Sequence, residues 1–249
     1  MTSDPLFTGP ELCGLEAHEI VTLLKAKEIS SADLIDAAVA RIDQTGPMIN
    51  ATPTLCEARA RAVDLSNQDT TPAGYLAGLP ITIKDLNAVA NVRTTFGTKG
   101  LAEFIPQHND PLVDQLERQG AVILGKTNTP EFGAGGNTFN DVFGQTRNPW
   151  NTALNPGGSS GGAAASLAAG EIWLSHGSDH GGSLRTPAAY CGIVGLRPSP
   201  GIAGGPGQDT AFIIEGVQGP MARSVRDCAL FLDAMSGFDP QIAISYPSP

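Results

Sequence analysis

Three glycine-rich runs between residues 155 and 198 restrict this chain more than any other feature. They read Asn155-Pro156-Gly157-Gly158-Ser159-Ser160-Gly161-Gly162, then Gly177-Ser178-Asp179-His180-Gly181-Gly182-Ser183-Leu184-Arg185-Thr186-Pro187, then Gly192-Ile193-Val194-Gly195-Leu196-Arg197-Pro198. Glycine lets the backbone approach another group closely and adopt positive φ. Serines set inside paired glycines therefore lie where main-chain N–H groups can crowd one spot. Gly181-Gly182-Ser183, read as a helix start, points several N–H groups at one place, which is the construction of an oxyanion hole. The serine hydroxyl at its edge is a candidate nucleophile.

A serine nucleophile needs a base. Only His176 and His180 follow the first serine run, both very close in sequence, and there is no Ser-x-x-Lys motif. Lys84, at the end of the apolar run Gly78-Leu79-Pro80-Ile81-Thr82-Ile83, is the better candidate. Deprotonating a lysine of ordinary pKa at pH 7 costs about 4.6 kcal/mol, and burial without counter-charges removes most of that cost. Asp85 would hold its neighbour charged if it shared a face with it. On a strand, adjacent side chains point to opposite faces, so Asp85 is expected to point away. The plain alternative is a glycine-rich structural loop with Lys84 paired to a carboxylate. Two serine motifs and a strand-end lysine together outweigh it.

The remaining pattern is that of short buried strands alternating with helices, an α/β layered fold. Helical spacing runs over 11–28, a Ser30–Asp33 capping box opens a helix through Arg41, and a third helix is expected at 56–66. Strands are expected at 78–84, 121–124 and 171–175, and helices at 110–119 (stopped by Gly120), 163–169 and 225–236. Residues 127–162 read as a long irregular stretch, the kind that is functional inside compact domains. The expected organisation is a helical layer over 1–70, a core of the same domain over 71–240 and a Pro-rich linker over 241–249.

Several motifs mislead. Gly120 to Thr127 fits a P-loop, but its variable positions are Ala-Val-Ile-Leu, which favour a buried strand over a phosphate-cradling loop. Gly157-Gly158-Ser159-Ser160-Gly161 fits a nucleophile elbow, yet a loop and not a strand precedes it. Asn50-Ala51-Thr52 is a glycosylation sequon without a secretory signal to give it meaning. The four histidines form no metal-binding spacing, and Cys13, Cys56, Cys191 and Cys228 form no C-x-x-C pair, so no metal is expected and free thiols in the cytoplasm are. A net charge of -10 argues against nucleic acid and anionic membranes as partners, and no apolar stretch is long enough for a membrane span.

With the runs at 157–162, 177–185 and 195–198, the segments Pro80-Ile81-Thr82-Ile83-Lys84-Asp85 and Gly125-Lys126-Thr127-Asn128-Thr129-Pro130-Glu131-Phe132 complete a specific match. The chain resembles the amidase signature family from about residue 15 to 240. The resemblance implies an α/β fold with a mixed central sheet wrapped by helices, of which this chain supplies the amino-terminal, catalytic half. It implies a Ser183 nucleophile, a bridging Ser159 that follows a cis peptide bond, and Lys84 as base. The N–H groups of His180, Gly181, Gly182 and Ser183 then form the oxyanion hole, Ser160, Asp179 and Arg185 brace the site, and no cofactor is needed. The implied activity is hydrolysis of carboxamide C–N bonds, with esters and carbamates as further small-molecule substrates. The same motifs occur in the glutaminase subunit of tRNA-dependent amidotransferases, and a non-catalytic binding scaffold would also keep the fold. The implied partner is the carboxy-terminal half, in the same protein or as a separate chain, with a homodimer as a further assembly. Phe132, Phe139, Phe143 and Trp150 are expected either to line a pocket or to be core residues.

Overall fold

The computed structural model describes residues 11–204, 214–240 and 242–246. Three helices lead: α1 (Glu11–Gly14), α2 (Ala17–Ala26) and α3 (Ser31–Ile49). The expected helix over 11–28 is thus two pieces. The N-terminus of α2 is capped from far along the chain by Asp227, whose carboxylate accepts from the N–H groups of Ala17 and His18 at 2.8 and 2.9 Å. Ser30 and Asp33 cap α3 reciprocally, as their spacing predicts. This helix runs past Arg41, takes Pro47 into its last turn and stops at left-handed Asn50. The third helix, α4 (Glu57–Arg61), follows strand β1 (Thr54–Leu55) and is shorter than 56–66.

The core begins with β2 (Pro80–Lys84), α5 (Pro111–Arg118) and β3 (Val122–Thr127). Asp110 caps α5 through the Leu112 N–H, and Gly120 turns the chain at φ +75°. The P-loop-like run is therefore a buried strand, with Gly125-Lys126-Thr127 inside it. The stretch 127–162 holds a single 3₁₀ turn (Glu131–Gly133) and the two-residue strands β4 (Phe139–Asn140) and β5 (Gly144–Gln145) before α6 (Gly161–Ala168) opens.

Next come β6 (Leu174–Asp179), α7 (Arg185–Cys191), β7 (Val194–Gly195), β8 (Val217–Ala222) and α8 (Val225–Met235). The strand expected at 171–175 lies further on. Its ladder is set by β8, which pairs antiparallel from Leu174↔Ala222 to Asp179↔Val217. Small and polar residues fill it because it is covered on both faces: a Cβ on Gly177 would meet Leu184, Met221 and Ser160 within 2.9 Å. The sheet order is β1-β3-β2-β6-β8-β7, with β2 parallel to both β3 and β6 and the other pairs antiparallel. This is the expected mixed sheet, and α3, α6 and α8 pack on it.

Within the stretch read as a linker, Ile242 is buried and the Ile244 carbonyl would lie 2.1 Å from a Cβ on Gly201. Residues 241 and 247–249 lie outside the described residues, as do 1–10 of the helical layer. Among the described residues no helix is long and apolar enough to cross a membrane.

Candidate active site

Lys84 ends β2 with its side chain wholly buried, and its Nζ donates to Ser159 Oγ at 2.6 Å, Ser160 Oγ at 2.9 Å and Ser178 Oγ at 3.0 Å. Burial pushes its pKa down to about 7, only partly countered by the more distant Asp179. Among the described residues no carboxylate lies within ion-pair distance of Lys84. Asp85 points the other way, as alternation predicts: it accepts from the Thr95 N–H and Oγ1 at 3.1 and 2.6 Å and pairs with Lys126 Nζ at 3.1 Å.

Ser159 follows a cis peptide bond after Gly158. Gly158 has no room for a side chain, since a Cβ would lie 2.9 Å from the Asn137 nitrogen and 3.0 Å from the Gly135 carbonyl oxygen. Ser160 opens α6, accepts from the Ser178 N–H at 3.3 Å and donates to the Ser178 carbonyl at 3.2 Å. Its own N–H donates to the Ser183 carbonyl at 3.3 Å, which joins the two serine runs. Ser183 is half-buried in the turn just before α7, and its hydroxyl has no hydrogen-bond partner among the described residues.

The turn that carries Ser183 is held by Asp179. Its carboxylate accepts from the Gly182 N–H at 2.8 Å, the Leu184 N–H at 3.0 Å and Arg185 at 3.0 and 3.1 Å. Burial raises the Asp179 pKa, but the bonds from Arg185, Gly182 and Leu184 outweigh it and hold the carboxyl well below the usual range. Of the four N–H groups expected in an oxyanion hole, that of Gly182 is therefore engaged. Those of His180, Gly181 and Ser183 donate to no described residue.

Three participants carry no sequence-derived role. Ser178 gives Lys84 its third hydroxyl; it lies inside a quoted motif, but nothing in the pattern says which way its side chain turns. His176 accepts from the Lys84 N–H at Nδ1 (3.3 Å) and meets Gln218 Oε1 at Nε2 (2.9 Å). Burial and then the Lys84 charge push its pKa down to about 3, so it stays neutral. Arg197 reaches Asp179 from beyond β7.

The aromatic side chains of the long loop are not core. Phe132, Phe139 and Trp150 are exposed, and Phe143 is half-buried with Arg93 5.0 Å above its ring. Clefts of about 430 and 350 Å³ both have Phe139 in their walls. Neither is lined by Ser159 or Ser183; they approach the site through Asn137, whose backbone abuts Gly158.

A family model described as Amidase matches residues 33–249. A glutamyl-tRNA(Gln) amidotransferase subunit of Carboxydothermus hydrogenoformans is 45% identical over 240 residues, covering 94% of this chain and 49% of that protein. Among solved structures, a bacterial aryl acylamidase of the amidase signature enzymes superposes with a TM-score of 0.86 at 34% identity, covering 94% of this chain and 50% of the other. The 6-aminohexanoate cyclic dimer hydrolase complexed with its substrate gives 0.85 at 33% identity, covering 96% and 50%. The chain belongs to the amidase signature family. It spans about half the length of the curated relatives it matches.

Proposed function

We propose that this chain cleaves carboxamide C–N bonds through an acyl-enzyme on Ser183. The observation that carries the reading is Lys84: a wholly buried amine among three serine hydroxyls, without a carboxylate partner among the described residues and pushed down to about 7. Neutral Lys84 draws a proton from Ser159, and Ser159 draws one from Ser183. Ser183 attacks the carbonyl, and the N–H groups of His180, Gly181 and Ser183 take the oxyanion while Gly182 stays braced on Asp179. The proton returns through Ser159 to the leaving amine. Water then opens the ester by the same relay in reverse.

Two substrate classes fit this chemistry. The curated relatives at 41–45% identity support release of ammonia from glutamine, as the glutaminase subunit of a tRNA-dependent amidotransferase. The solved structures at 33–34% identity, a cyclic dimer hydrolase and an aryl acylamidase, support hydrolysis of small amides. Hydrolysis of L-glutamine beside a panel of aryl amides, esters and carbamates, by the intact protein and its Ser183→Ala variant, tests both. Turnover lost in Ser183→Ala is expected, and its substrate ranks the two classes. Turnover that survives in Ser183→Ala contradicts the assignment of the nucleophile.

A further inference from the structure

Asp179 brackets Ser183 from both sides, through the N–H groups of Gly182 and Leu184, and two guanidinium groups share its carboxylate. Arg185 is the one that the family resemblance names. Arg197 has the more consequential contacts. Its side chain is 25% exposed against 57% for Arg185, so solvent screens its charge less. Its Nη1 donates to the Asp179 backbone carbonyl as well as to Asp179 Oδ1 at 3.2 Å, and its Nη2 donates to the Glu215 carbonyl at 2.9 Å.

The backbone contact matters because of what lies across that peptide. The Asp179 carbonyl and the His180 N–H belong to one planar unit and point in opposite directions in its trans form. A cation that grips the carbonyl fixes the direction of the N–H and polarises it toward an anion on the far side. We propose that Arg197 is a positioning residue for amide cleavage: it orients the Asp179–His180 peptide so that the His180 N–H faces the oxyanion formed at Ser183. This rests on the reading of Ser183 as nucleophile. Lysine is a poor replacement, because one ammonium cannot reproduce a planar fork spanning Asp179 and Glu215. Loss of Arg197 leaves the Asp179 carboxylate its bonds to Gly182, Leu184 and Arg185, so the turn itself persists.

The test is the rate at which a fluorophosphonate probe labels Ser183 in the intact protein, for wild type, Arg197→Lys and Arg197→Gln. The phosphoryl oxygen of the probe takes the place of the oxyanion. Labelling is expected to slow about 10- to 100-fold in both variants. The thermal midpoint should hold within a few degrees, and kcat on the hydrolysed amide should fall with KM little changed. Labelling within about 3-fold of wild type, or slowed only in proportion to unfolded protein, overturns the inference. A Ser183→Ala control separates the two readings. If wild type and Ser183→Ala label alike, the nucleophile is wrong; if Ser183→Ala does not label and the Arg197 variants label as fast as wild type, Arg197 is wrong.

Discussion

Two lysines of this chain are wholly buried, and what faces each decides what it can do. Lys126 pairs with Asp85 at 3.1 Å and donates to the Asn87 carbonyl and Thr94 Oγ1 at 2.7 and 2.8 Å, so its charge is spent on holding the turn after β2. Among the described residues the Lys84 ammonium meets only hydroxyl groups, which accept from it but do not compensate its charge as a carboxylate would. Lys84→Met keeps the volume and removes the base. It is expected to fold and to lose about 10²- to 10⁴-fold in kcat, measured beside its circular dichroism spectrum. Stability carries the same signature. Between about 7 and 10.5 the unfolded chain holds a proton that folded Lys84 has released, so this residue's contribution grows as pH rises through that window. Alternation along β2 made the separation of Lys84 from Asp85 legible in the sequence. The third hydroxyl, the neutral His176 and the Arg197 fork were not legible, because each depends on chain segments brought together from far apart.

Elements built from small residues set the distances in the site. Helix α6 is almost entirely Gly, Ala and Ser, and it lies so close to the loop after β3 that a Cβ on Gly162 would sit 2.4 Å from the Asn128 nitrogen. Gly162→Ala must push the two apart and is expected to cost roughly 1–3 kcal/mol in urea denaturation. Gly46 in α3 has open space where its Cβ would go, so Gly46→Ala should gain about 0.5–1 kcal/mol in the same measurement. If both substitutions destabilise equally, the close packing of α6 is not the cause. The elements that sequence reading found are those whose signals are local: the Ser30–Asp33 cap, the Asp110 and Gly120 bounds of α5, and the apolar runs of β2 and β3. Strand β6 shifted from 171–175 to Leu174–Asp179 because Ser175, Gly177, Ser178 and Asp179 show no apolar alternation. It is a strand because β8 pairs with it from well downstream in the chain, at Leu174↔Ala222.

At the scale of the molecule, Phe132, Phe139, Trp150 and Leu154 are exposed to solvent beside the site. Exposed apolar side chains near a site mark a surface that something else covers. Native-mass measurements on the isolated protein are therefore expected to find a tightly bound partner chain. A native mass equal to that of one copy of the chain contradicts this. The central claim, that a buried and neutral Lys84 drives acylation of Ser183, is tested most directly by the pH dependence of kcat/KM. A relay that needs the free amine predicts a rate that rises with pH through about 7 and levels off above it, the limb vanishing with the activity in Lys84→Met. A rate flat from about pH 5 to 9, or one that keeps its rise in Lys84→Met, would show that some other group is the base.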